Sequence, residues 1–144
     1  MIERIVIATD GSESVKRAVS VAVDLAEKFD AEVHALSIVD AGDVESSPEQ
    51  VRDDLREALT SQAAAALSNI EEIATGPVVT AVREGRPAAE ISAYARENDI
   101  DVVATGTRGR HGENRFLIGS VAERVVRTCP VPVLTVRQLS ADER

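Results

Sequence analysis

The stretch DVVATGTRGRHGENRFLIGSVAERVV, residues 101–126, decides the fold. An apolar, β-branched run ends at Gly106. A segment rich in glycine and arginine follows. From Ser120 the apolar residues recur at helical spacing. Strand, glycine loop and helix in that order form half of a parallel β/α unit. Within residues 106–120 stand four glycines and three arginines, and Arg108, Arg110 and Arg115 meet only Glu113 as counter-charge, with His111 beside them. The chain as a whole is acidic, with Lys+Arg 16 against Asp+Glu 25 and a formal net charge of −9. Positive charge and free backbone are therefore concentrated in one loop.

The same unit recurs on either side. Residues 2–8, IERIVIA, read as a strand closed by Asp10-Gly11. Ser12 is placed to cap a helix carrying Val15, Ala18, Val19, Ala22, Leu25, Ala26 and Phe29 on one face. A second strand is expected at 31–39 and a loop at 40–47, DAGDVESS, from its small and acidic residues. Ser47-Pro48 opens a long helix to about Thr75, with Val51, Leu55, Leu59, Ala63, Leu67 and Ile70 inward. Strand 78–83 follows, then a helix opened by Pro87 with Ile91, Tyr94 and Ala95 inward. The fourth strand, DVVATG, leads to the helix at 120–128, and VPVLTV, 131–136, is the fifth strand. Residues 138–144 read as a loose polar tail. Strict β-α alternation predicts one open parallel sheet with helices on both faces. Length fits one domain, at 1–137.

Composition sets limits on function. Aromatics are 2%, so Val, Leu, Ile and Ala must fill the core. An acidic surface disfavours general DNA or RNA binding and anionic membranes, because phosphate neutralisation needs a basic one. Only two of the sixteen bases are lysines, which with the alanine content suggests a high-salt or high-GC source. Cys129 is the only cysteine, which rules out an intramolecular disulfide; before Pro130 it reads as a small buried residue. The start MIERIVIATDG does not read as a signal peptide, and no run approaches the roughly 20 apolar residues of a membrane span. A cytoplasmic location is the expectation. His34 alternates with apolar residues and reads as structural; it and His111 do not suggest a metal site.

In doubly wound sheets ligands sit beyond the carboxyl ends of the strands, where the strand order reverses. Two loops there carry unusual chemistry, ATDGS at 8–12 and the glycine stretch. Glycine lets N–H groups approach a ligand, and the helix starting near Ser120 aims its positive dipole end at the same place. The Ser120 hydroxyl is placed to cap that helix or to bind a phosphate oxygen. Charge-assisted bonds to phosphate contribute about 1.5–3 kcal/mol each, enough in sum for micromolar binding. The stretch reads as a polyphosphate cradle. Its Gly-x2-Gly-x9-Gly-Ser spacing, at Gly106, Gly109, Gly119 and Ser120, is neither the Walker pattern nor the dinucleotide fingerprint.

Three segments, VIATDGSESVKRAV, GTRGRHGENRFLIGS and SVAERVVRTCPVPVLTV, together resemble the universal stress protein family, over about residues 2–137. The resemblance implies a five-stranded sheet of order 3-2-1-4-5 and membership of the ATP-binding branch. It implies that Gly106, Arg108, Gly109, Gly119, Ser120 and Val121 hold the ribose and phosphates. Asp10 would contact the ribose or a bound Mg²⁺, Ala8 and Thr9 would line the pocket, and Ile38 would meet adenine through its backbone. Ala8 departs from the proline of some members, and Gly11 from a bulkier residue. The resemblance also implies a homodimer paired through strand 131–136, and a regulatory, stress-response role with an unidentified protein partner. A slow ATPase or nucleotidyl transferase and a structural dimer without nucleotide are the alternatives; no general base stands out near the cradle.

Overall fold

The computed structural model describes residues 1–108 and 118–143. Five parallel strands form one sheet in the order β3-β2-β1-β4-β5. They are β1 (Arg4–Ala8), β2 (Glu32–Asp40), β3 (Val78–Gly85), β4 (Val102–Gly106) and β5 (Val133–Val136). The order reverses at β1, whose Ile5, Val6 and Ile7 stand opposite Val102, Val103 and Ala104 of β4. The carboxyl ends of β1 and β4 are thus neighbours, as the resemblance implies.

Side chains on a strand alternate between faces, and β1 shows why both faces are covered. Ile5 and Ile7 enter one core with Val19, Ala22, Leu67 and Ile70. Val6 and Ala8 enter the other with Leu36, Ile91, Val103 and Val125. Helices α1 (Lys16–Phe29) and α3 (Arg52–Ile73) cover the first face, while α4 (Pro87–Glu97) and α5 (Ser120–Thr128) cover the second. Each fully buried Ile, Leu or Val contributes about 1.5–3 kcal/mol, so an almost aromatic-free chain still has two cores.

Several elements differ from expectation for local reasons. Residues 40–47 are not all loop: Ala41–Glu45 form a short helix, α2, because the Asp40 carboxylate accepts the Gly42 N–H at 2.9 Å and Val44 is buried. Val51, expected inward, is exposed, since it lies in a 3-10 turn (Glu49–Val51) ahead of α3. Phe29 is likewise exposed at the end of α1, and Val23, not on the expected face, is buried. Ser12 does not cap a helix through its side chain; its hydroxyl pairs with that of Ser14 at 3.2 Å. Strand β5 starts at Val133 because Pro130 and Pro132 lack N–H groups, although the Pro132 carbonyl still accepts from Val103.

His34 is buried and joins two partners, Glu32 Oε1 at 2.6 Å and the Tyr94 hydroxyl at 2.6 Å. A carboxylate only accepts, so Nε2 carries the proton, and in the neutral ring Nδ1 accepts from Tyr94. Burial pushes the Tyr94 phenol up from its ordinary value. Cys129 is half-buried against the second core. In the segment read as a tail, buried Gln138 accepts the Arg17 N–H at 2.9 Å, and Glu143 binds Arg137 and Ser140.

Candidate functional site: a cleft at the sheet switch point

A cleft of about 300 Å³ opens beyond the strand carboxyl ends, within the size range of small-molecule sites. Its centre is the β1–α1 loop. Here Ala8, Thr9 and Asp10 line it. Two short bonds fold that loop: Thr9 Oγ1 accepts the Gly11 N–H at 3.1 Å, and Asp10 Oδ1 accepts the Ser12 N–H at 2.9 Å. The turn requires the left-handed region at Gly11, with φ of 77°, and Ala66 of α3 would lie 3.1 Å from any Cβ there. Asp10 is therefore fixed at the mouth by the backbone it bonds.

The β4 side supplies the positive wall. Gly106 is buried, and a Cβ on it would meet Val15 Cγ1 at 3.0 Å and the Ser14 carbonyl at 3.1 Å. A side chain here would make the β1–α1 loop shift by a few tenths of an ångström, so glycine suits this close approach of β4. Arg108 lines the cleft, and its buried Nε has no hydrogen-bond partner among the described residues. A buried guanidinium N–H without an acceptor is costly, and such a donor is satisfied when an anion enters.

Helix α5 faces the same space with Gly119, Ser120 and Val121. Gly119 is the N-cap and makes no side-chain cap bond, so Ser120 is not the cap; it is the first helical residue, and its hydroxyl is not spent on capping. The first-turn N–H groups of a helix have no intrahelical acceptor, and the dipole makes that end positive. Gly106, Arg108, Gly119 and Ser120 thus meet around one end of the cleft.

The β2 side is apolar at its wall and acidic at its rim. Ile38 lines it, backed by Leu59 and Ala63 of α3 and Ile91 of α4, with Asp40 and Asp43 at the edge. Of these, only Ile38 was identified from the sequence. Leu59 and Ala63 read as core positions, and Asp43 was hidden in a segment read as loop. Nine predicted site residues share this one cleft. The tenth, Gly109, lies outside the described residues, as do Arg110, His111 and Arg115. Among the described residues no group of three or more His, Cys, Asp or Glu side chains gathers as a metal cage. No helix among them is long and apolar enough to cross a membrane.

The model of the Universal stress protein family matches residues 1–137. The chain belongs to this family. A universal stress protein of Methanocaldococcus jannaschii is 36% identical over 142 residues, covering 96% of this chain and 84% of that protein. The solved structure of hypothetical protein MJ0577 superposes with a TM-score of 0.84 at 27% identity, covering 98% of this chain and 99% of the other. A universal stress protein solved in complex with cAMP shares the fold, with a TM-score of 0.70 at 22% identity, covering 95% and 98%.

Proposed function

We propose that this universal stress protein binds an adenine nucleotide, ATP in the first instance, in the cleft at the β1–β4 switch point, and acts as a nucleotide-dependent regulator. The observation that carries the reading is the buried Arg108 Nε, unpartnered among the described residues, in the same cleft as the start of α5. That arrangement suits phosphate oxygens, which accept from guanidinium and helix N–H groups at once. Gly106 lets β4 lie close against the β1–α1 loop, which keeps Asp10 and Arg108 in the same cleft. The apolar wall of Ile38, Leu59, Ala63 and Ile91 suits a flat base. Asp10, which lines the cleft, suits ribose hydroxyls or a Mg²⁺ carried in with the phosphates, since Mg²⁺ needs few protein ligands when phosphates and water supply the rest. Regulation follows if nucleotide binds one conformation or assembly better than another.

Among the described residues no strand pairs with the outer edge of β5, which suits a second copy of the chain and a two-fold dimer through the last strand. Its measurement is the solution mass of the purified protein.

The test of nucleotide binding is extraction of small molecules from freshly purified protein, followed by thermal melting with and without ATP. Saturation at 100 times the dissociation constant stabilises by about 2.7 kcal/mol. Recovered ATP, or a rise of several degrees on adding it, supports the reading. An empty protein whose melting ignores ATP contradicts it.

A further inference from the structure

The cleft is electrically polarised along its length. Arg108 and the start of α5 lie beyond β4 at one end, and Asp40 and Asp43 lie beyond β2 at the other. Strand β1 stands between β2 and β4, so the two ends are separated by two strand spacings, about 9.5 Å, or more. A ligand whose anionic tail occupies the β4 end therefore presents its opposite end to carboxylates.

The two acids are not equivalent. Asp40 uses Oδ1 to accept the Gly42 N–H and start α2. The Asp43 carboxylate makes no hydrogen bond or ion pair with any described residue; only its backbone carbonyl is engaged, by the hydroxyls of Ser46 and Ser47. Yet the residue is firmly carried. Val44, its neighbour, is 1% exposed. Arg52 of α3 donates to the carbonyls of Glu45 and Ser47 at 2.9 and 3.0 Å. Asp43 is thus a solvent-exposed acceptor with no protein partner for its carboxylate among the described residues, carried on a fixed short helix that lines the cleft.

We propose that Asp43 makes the cleft selective for purine nucleotides bearing an amino group at C6 over those bearing an oxo group. This rests on the reading of the cleft as a nucleotide site. An exocyclic amino group donates to a carboxylate in a charge-assisted bond. A C6 oxo group puts lone pairs where the amino group would donate, so the bond is lost and two acceptors face each other at C6, which is selection by repulsion as well as attraction. A carboxylate at neutral pH accepts and does not donate, so it favours a donor at C6 over an acceptor there.

The test is titration calorimetry of the full chain with ATP and with inosine triphosphate, which carries oxo in place of amino at C6. Wild type is expected to bind ATP about tenfold more tightly, the size of one hydrogen bond to a charged group. In Asp43→Asn, whose amide can offer either a donor or an acceptor, the preference should fall to threefold or less. Unchanged melting of the variant without nucleotide shows that the fold is intact. If both nucleotides bind wild type equally, or the preference survives in Asp43→Asn, the assignment to Asp43 is wrong while the nucleotide site stands. If neither binds wild type, both readings fall together.

Discussion

Gly119 donates its backbone N–H to the carbonyl oxygen of Thr107. That bond joins the end of β4 directly to the start of α5, across the chain between them. It sets the helix N-terminus beside Arg108 irrespective of the path of residues 109–117. The positive end of the cleft is therefore built from backbone as much as from charge.

Arg108→Ala removes the buried donor. ATP affinity should fall about tenfold or more, the loss of one or more hydrogen bonds to a charged group. Arg108→Lys should recover only part of it, because an ammonium cannot reproduce a planar fork. Melting of the nucleotide-free protein should not fall in Arg108→Ala, since Nε has no described partner to lose.

Gly106→Ala should both destabilise the fold and weaken binding. The new methyl meets Val15 and the Ser14 carbonyl and pushes the β1–α1 loop, with Asp10 on it, away from β4. Overpacking of this kind costs about 1–3 kcal/mol. Chemical denaturation gives the first effect and nucleotide titration the second.

Tyr94→Phe strands the His34 Nδ1 in the second core, where the Tyr94 hydroxyl is its partner at 2.6 Å. A buried polar atom left unpaired costs about 1–3 kcal/mol. Denaturant unfolding should show that loss with nucleotide affinity unchanged, because neither residue lines the cleft.

Asp101 accepts the N–H groups of Glu3 and Arg4 at 2.8 and 2.9 Å, and these bonds hold its carboxyl below the usual carboxylate range. A group whose folded pKa is depressed adds stability above its unfolded value, 3.8 here, and loses it as pH falls through the folded value. The stability gap between wild type and Asp101→Asn should therefore be full at pH 7 and shrink below about pH 4. Thermal melting across pH 2–7 reads it. A gap that widens in acid contradicts the assignment.

Much of this architecture was legible because its signals are local. Pro87 marks the first residue of α4, and α5 begins at Ser120 as its apolar spacing indicates. The β-branched runs give β1 and β4, and Gly-Ser at 119–120 marks where loop becomes helix. What escaped depends on tertiary contact. Helix α2 is too short and acidic to announce itself; it exists because Val44 finds a core and Asp40 caps it. Leu59 and Ala63 carry a core-like pattern, and no periodicity distinguishes a side chain facing a cleft from one facing a core. Val51 obeys the helical spacing of α3 but precedes the helix. The same limit hid Asp43, whose place over the cleft is set by α2.

The central claim is that phosphate and base occupy this one cleft, and amide chemical shifts test it most directly. In ¹⁵N-labelled protein titrated with ATP, the N–H signals of Thr9, Asp10, Gly106, Gly119, Ser120 and Val121 should move together along one saturation curve. Those of Thr80 and Val82 on β3, away from the cleft, should stay in place. Still signals at the cleft under millimolar ATP, or movement confined to other surfaces, would contradict the account.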